Sequence, residues 1–232
     1  MKIRCVWEHN GDDSLLYAAD LPGAYTRGET LESALSKMND EIKLYSKWSR
    51  SDFPVSEIVI VQEKCSTLNI KDADSDVIFD METVPLDLDE YKKLKELALK
   101  SASDFKSLFD AIPDKNASDL RKRVTFYGEI PVTAGEMYEH TKNVNSYYFG
   151  EINIEADNEG DIFSCRNRGF EALEKQESFL KNEVVEGSYG ELWSLRKLLR
   201  RFIWHDRIHA KAMYRMALRT FKEEKMPNPF FF

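Results

Sequence analysis

The chain has 232 residues, 42% of them hydrophobic and 12% aromatic, which is enough apolar material for a sizeable core and excludes the disordered and fibrous classes. Its 41 acidic against 33 basic side chains give a formal charge of −8, the wrong sign for a general nucleic-acid binder. No apolar run approaches the roughly 18–20 residues that cross a bilayer, and the opening MKIRCVWEHNGDD lacks the apolar centre of a signal peptide, so a cytoplasmic protein without membrane or nucleic-acid partners is expected.

Strand-like alternation comes first. Ile3, Cys5 and Trp7 fall on one face of a strand, residues 15–19 form a second, and Asn10-Gly11 and Pro22-Gly23 are turn signals around the latter. After Gly28, Thr30 is placed to cap a helix whose apolar positions Leu31, Ala34, Met38, Ile42 and Tyr45 recur at three- and four-residue steps. Residues 57–62 (EIVIVQ) then read as a buried strand, which makes residues 1–65 a β-β-β-α-β unit. Residues 66–86 form the connector, with the acidic loop KDADSD and then VIFDMETVPL, a candidate for one more edge strand.

Helical periods follow over residues 87–232. The first stripe is Tyr91, Leu94, Ala98, Ser101, Phe105, Leu108 and Ile112, stopped by Pro113; the second, over about 131–150, is Met137, His140, Val144 and Tyr147 or Tyr148. A third helix is expected over about 161–181, and the longest over about 190–221 with Leu195, Leu198, Phe202, His205, His209, Ala212 and Met216 on one face. The predicted fold class is α+β, a small N-terminal β-β-β-α-β domain followed by a four-helix bundle. The closing Phe230-Phe231-Phe232 either docks on the body or marks an interface, a homodimer being one arrangement that would use it.

The chain has only four histidines, and the apolar period assigns His140, His205 and His209 to the core. A four-residue spacing puts His205 and His209 one turn apart on one face, with His140 as a third ligand from the second helix. Leaving imidazoles unsatisfied in such a seam costs roughly 1–3 kcal/mol each, a cost that metal ligation offsets. The three residues thus form a candidate centre for a divalent transition metal, zinc first, with nickel or iron as alternatives, keeping a position open for water or substrate. The competing reading is that neighbouring acids or carbonyls satisfy these rings, or that they face water.

Two stretches carry family resemblances. Residues 20–45, DLPGAYTRGETLESALSKMNDEIKLY, resemble the β-β-β-α-β domain of HicB-like antitoxins; the chain shows no DNA-binding appendage of that family, so the resemblance implies the fold alone. VTAGEMYEHTKNVNSYYFGEI together with WSLRKLLRRFIWHDRIHAKAMYRMA resembles the DinB/YfiT-like four-helix bundles of bacteria, in which one histidine of the second helix and an HxxxH of the fourth bind a divalent metal. That resemblance implies His140, His205 and His209 as the ligands, and an enzyme that transfers a low-molecular-weight thiol to a small electrophile or hydrolyses a small substrate. No catalytic side chain follows from it. A different class of function also fits the sequence: a non-catalytic metal-containing protein that recognises a partner through the N-terminal sheet edge.

Other residues carry weaker signals. The cations Arg196, Lys197, Arg200, Arg201, Arg207, Arg215 and Arg219 could hold substrate carboxylates, but such a row is more often a solvated face paired with acids such as Glu171, Glu174 and Glu177. Glu139 and Asp206, beside the histidines, are read as surface carboxylates before second-layer partners of the rings. Trp204, Tyr138 and Tyr147 read as core or pocket wall. Cys5, Cys65 and Cys165, widely spaced and without a CxxC, are expected as reduced, half-buried thiols, Cys165 being a buried inert residue rather than an extra ligand, and His9 is expected exposed in a hairpin turn.

Overall fold

The computed structural model describes residues 2–54, 57–125, 128–222 and 225–232. The order of elements is β1 (Lys2–His9), β2 (Ser14–Ala18), β3 (Tyr25–Gly28), α1 (Leu31–Ser49), β4 (Glu57–Cys65), α2 (Leu88–Ala111), β5 (Val124–Thr125), β6 (Gly128–Glu129), α3 (Ala134–Gly150), α4 (Ile162–Leu173), β7 (Val185–Glu186), β8 (Leu192–Trp193) and α5 (Leu195–Thr220). The protein is thus mixed α+β, with an N-terminal sheet followed by helices.

The sheet has the order β3-β2-β1-β4, with antiparallel hairpin pairs and β4 parallel to β1. The parallel pairing follows from chain connectivity, because α1 crosses between β3 and β4 and returns the chain in the same sense as β1. Ile3 and Cys5 of β1 and Leu16 of β2 pack toward α1, which buries Ala34, Met38, Ile42 and Tyr45 and is capped by Thr30 accepting from the Ser33 amide at 3.2 Å. Every residue of β2 is buried, since the second face is covered too. There Val6, Leu15 and Tyr17 meet Ile70, Val77 and Phe79 of residues 66–86, together with Trp204 of α5. A register shift in the β1–β4 pairing between Cys5 and Val6 breaks the expected alternation: Trp7 is half-buried while Glu8 is fully buried.

α5 packs against α2 and α3, and α4 against the same two helices. At one contact Gly169 of α4 meets the Phe149 ring so closely that a Cβ there would lie 2.1 Å from it. The apolar cluster containing Ile3, Ile42 and Trp48 also contains Phe105, Phe202 and Met213, so the sheet side and the helices share one buried core. Gly23 (φ 89°) sits against α5, where a Cβ would lie 2.4 Å from Ile203. Phe230 is fully buried and stacks on Trp48 with ring centroids 5.5 Å apart, so the tail docks on the body through Phe230 while Phe231 stays exposed.

Several elements differ from the sequence reading. Residues 57–62 lie in an edge strand that is half-buried rather than buried, with Val61 49% exposed. VIFDMETVPL holds a 3-10 turn at Asp80–Glu82 instead of a strand, fixed by Glu82 accepting from the Phe79 amide at 2.9 Å. The third helix ends at Leu173, because the polar run Glu174, Lys175, Gln176, Glu177 gives it no apolar face to continue. α3 starts three residues late, where Thr133 and Glu136 form a capping box, and α5 starts at Leu195, where Ser194 accepts from the Lys197 amide. His9 ends β1 and is half-buried, stacked on Trp7 at 4.0 Å and bonded to Glu63 at 3.1 Å. The three thiols are free, but Cys5 and Cys165 are buried and Cys65 is exposed.

Candidate metal centre

His140 enters from α3, and His205 and His209 enter from successive turns of α5. The three rings converge. Their centroids are 4.4 Å apart for His205–His209, 4.6 Å for His140–His209 and 5.1 Å for His140–His205. One ligand nitrogen from each lies within 4.8 Å of the others, close enough to hold a metal ion. A tetrahedral ion with nitrogens at 2.0–2.1 Å would bring them to about 3.4 Å, within reach of small side-chain rotations. Among the described residues this group contains no carboxylate or thiolate, and Cys165 instead bonds the Ile162 carbonyl inside α4.

The apolar period places these rings imperfectly. Met137, Thr141, Asn145 and Tyr148 form the buried face of α3, while His140, Val144 and Tyr147 lie beside it on the wall of a cleft. His140 is exposed, His209 half-buried and His205 only 9% exposed, so the site grades from rim to floor instead of lying in a helix seam. A 3.6-residue period separates inward from outward positions but cannot reveal that part of an inward stripe faces a concavity.

Burial lowers the pKa of all three imidazoles. His205 falls well below 6.5, its burial reinforced by the neighbouring His209 and His140; His209 falls to about 3, again by burial and then by His140. His140 is lowered by burial too, because the wall beneath it displaces water although its outer edge is open. All three are neutral near pH 7, the form that offers a lone pair to a metal. His205 Nδ1 is buried with no hydrogen-bond partner among the described residues, the vacancy that ligation would relieve. The residues present fit a divalent ion bound by imidazoles.

The cleft has a volume of about 1650 Å³. α3 and α5 form one wall; the other is built from β3, α1 as far as Leu44, and residues of the 66–86 stretch. This second wall is fixed by polar contacts: Glu8 accepts from Ser75 Oγ at 2.5 Å and from Tyr17 at 3.3 Å, and the Ser75 carbonyl accepts from Arg201 at 3.0 Å. No periodicity announces that acidic KDADSD lines the same cleft as the histidines. The available signal was the apolar Val77 and Phe79 just after it, which anchor the stretch to the sheet.

Asp206 corrects the surface reading. It is fully buried and points away from the metal-site face, receiving Arg166 at 2.5 and 3.0 Å together with Ser101. Glu139 stays on the surface with Lys142 at 2.8 Å. The α5 cations are a solvated row only at Arg215 and Arg219, which are exposed; the earlier ones are buried or half-buried. Lys197 pairs with Glu191, Arg200 with Glu82, Arg207 with Glu41 and Arg196 with Glu90, so their acids come from α1, α2 and loops rather than from Glu171, Glu174 or Glu177. Tyr138 stacks on Phe109 and bonds the Ile162 amide, a core role, whereas Trp204 and Tyr147 line the cleft.

No helix of the described residues is long and apolar enough to cross a membrane. No family model, curated protein or solved structure matches the chain.

Proposed function

We propose that the protein is a metal-dependent enzyme acting on a small molecule in the cleft between the helices and the N-terminal sheet, with His140, His205 and His209 holding a divalent ion, zinc first. The observation that carries this is the convergence of three neutral imidazoles on one point of a cleft wall, with no carboxylate or thiolate in the group to close the coordination. When bound, the ion supplies Lewis-acid chemistry, lowering the pKa of a water or thiol that enters its open position. The chain's own residues orient the rings on two helices, exclude bulk water from His205 and shape the wall opposite. The reaction class in this reading is thiol transfer to a small electrophile or hydrolysis, within a HicB-like module over residues 1–65, a connector over 66–86 and a DinB-like bundle over 87–232.

Metal analysis of the purified protein and of His140→Ala, His205→Ala and His209→Ala tests the assignment. The wild type should hold one equivalent of a divalent metal and each variant markedly less. Unchanged metal content in H205A would show that the ligands lie elsewhere.

A further inference from the structure

Arg201 lies one turn before His205 on the same face of α5, and the two line the same cleft. It is an exception among its neighbours. Every other buried or half-buried cation of α5 has a carboxylate within 4 Å: Arg196, Lys197, Arg200, Arg207 and Lys211, the last sharing Glu41 with Arg207. Among the described residues Arg201 has none. The carboxylates whose fields reach it are Glu191 and Glu8, and both are committed elsewhere, Glu191 to Lys197 at 2.8 Å and Glu8 to Ser75 and the Asp76 amide.

The guanidinium is nevertheless held in place. It lies over the Trp204 ring at 4.7 Å, with Tyr148 at 5.6 Å and Trp193 at 5.8 Å, and it donates through Nη1 to the Ser75 carbonyl at 3.0 Å. Its Nε, like the nearby Trp204 Nε1, is buried with no hydrogen-bond partner among the described residues. The rings occupy the faces of the guanidinium, and beyond the bond to Ser75 its edge has no carboxylate to pair with among the described residues, although guanidinium edges favour planar, two-oxygen acceptors. A buried cation that lacks a counter-ion is costly, and elsewhere this fold supplies one at each comparable position.

We infer that the cleft's ligand supplies the missing anion: the protein takes a small substrate bearing a carboxylate or phosphate, held by Arg201, on the same molecule as the group that meets the three histidines. This rests on the metal reading for its second anchor. One helical turn separates the two anchors, so the ligand spans a rise of about 6 Å between its oxyanion and its metal-facing group. The cleft is lined by acids such as Asp72 and Asp76 and by other cations, Arg27, Lys37 and Arg215 among them, so what distinguishes Arg201 is its place one turn from His205 and its lack of a carboxylate partner among the described residues.

The test uses zinc-loaded protein and hydroxamates as probes, with binding followed by calorimetry. Acetohydroxamate, neutral beyond its metal-binding end, reads the metal alone. Succinate monohydroxamate adds a carboxylate, and phosphonoacetohydroxamate adds a phosphonate; their relative affinities separate the two anion sources. At least one anionic probe should bind on the order of ten- to hundredfold more tightly than acetohydroxamate to the wild type. In Arg201→Gln the ratio should fall to near one, with acetohydroxamate affinity and zinc content unchanged. Arg201→Lys, which keeps the charge but not the fork, should retain only part of the ratio, and it decides the question if R201Q does not fold. A wild-type ratio near one, or the same ratio in the variants, overturns the inference. If acetohydroxamate itself does not bind, the metal reading fails instead. Succinate and inorganic phosphate titrated into metal-free wild type and R201Q then decide on Arg201 alone, with equal binding to the two proteins counting against it.

Discussion

Replacing Arg166 by Met removes one half of an ion pair whose side chains are both 0% exposed. Arg166 of α4 donates to both oxygens of Asp206 on α5 and to the Ala98 carbonyl of α2, and its guanidinium stacks 4.2 Å from the Phe202 ring centroid. It therefore joins three helices at one point. In R166M, Asp206 keeps only Ser101 as a partner, and an uncompensated buried carboxylate costs about 3–5 kcal/mol. For a chain of this size that corresponds to a fall in Tm of about 6–20 °C. Replacing both partners, as R166M/D206L, removes the charge that would be stranded and should recover most of the loss. Urea and thermal denaturation of the two single variants and the double variant give the coupling directly. A loss below about 1 kcal/mol in R166M, or a double variant as unstable as the sum of the singles, would refute the reasoning, because either result means Asp206 is not a desolvated charge.

Other consequences can be measured alongside. Lys197 is buried against Glu191 with a pKa lowered to about 8, so above pH 8 the folded chain releases a proton that the unfolded chain keeps until about 10.5. The unfolded state binds more protons there, so stability should rise with pH between 8 and 10 by about 2–3 kcal/mol relative to Lys197→Met; urea midpoints that move in parallel for the two proteins would rule this out. Gly169→Ala gains helix propensity yet drives a methyl into Phe149, and a net loss of about 1–3 kcal/mol in chemical denaturation is expected. A neutral or stabilising result would mean α3 and α4 are not so close. Phe230→Ala empties a fully buried position on Trp48 and should cost about 3–5 kcal/mol, with a change in tryptophan fluorescence. An unchanged spectrum and Tm would show that the tail does not dock.

Much of the fold was legible because it rests on local signals. Thr30, the Ile3–Cys5 alternation and the α2 stripe ending at Pro113 specify caps and buried faces that the tertiary structure keeps. Element ends moved where side-chain chemistry overrode periodicity, as at Ser194 and the Thr133–Glu136 capping box. The histidine trio was legible from spacing and scarcity, since one helix turn guarantees that His205 and His209 share a face. Its surroundings were not. Whether Asp206 points to water or to Arg166, and whether Arg201 has a carboxylate, depend on which helix lies opposite, and sequence distances of 40 residues and more carry no such information. The second cleft wall has the same character, because Glu8 and Ser75 meet across 67 positions.

X-ray absorption at the metal edge of the protein loaded with one equivalent of zinc addresses the central claim most directly. Three imidazole nitrogens at about 2.0–2.1 Å and one light oxygen scatterer that exchanges with added ligand are the predicted shell. A sulfur scatterer, a shell filled by protein carboxylates, or the same spectrum after His140→Ala would contradict it.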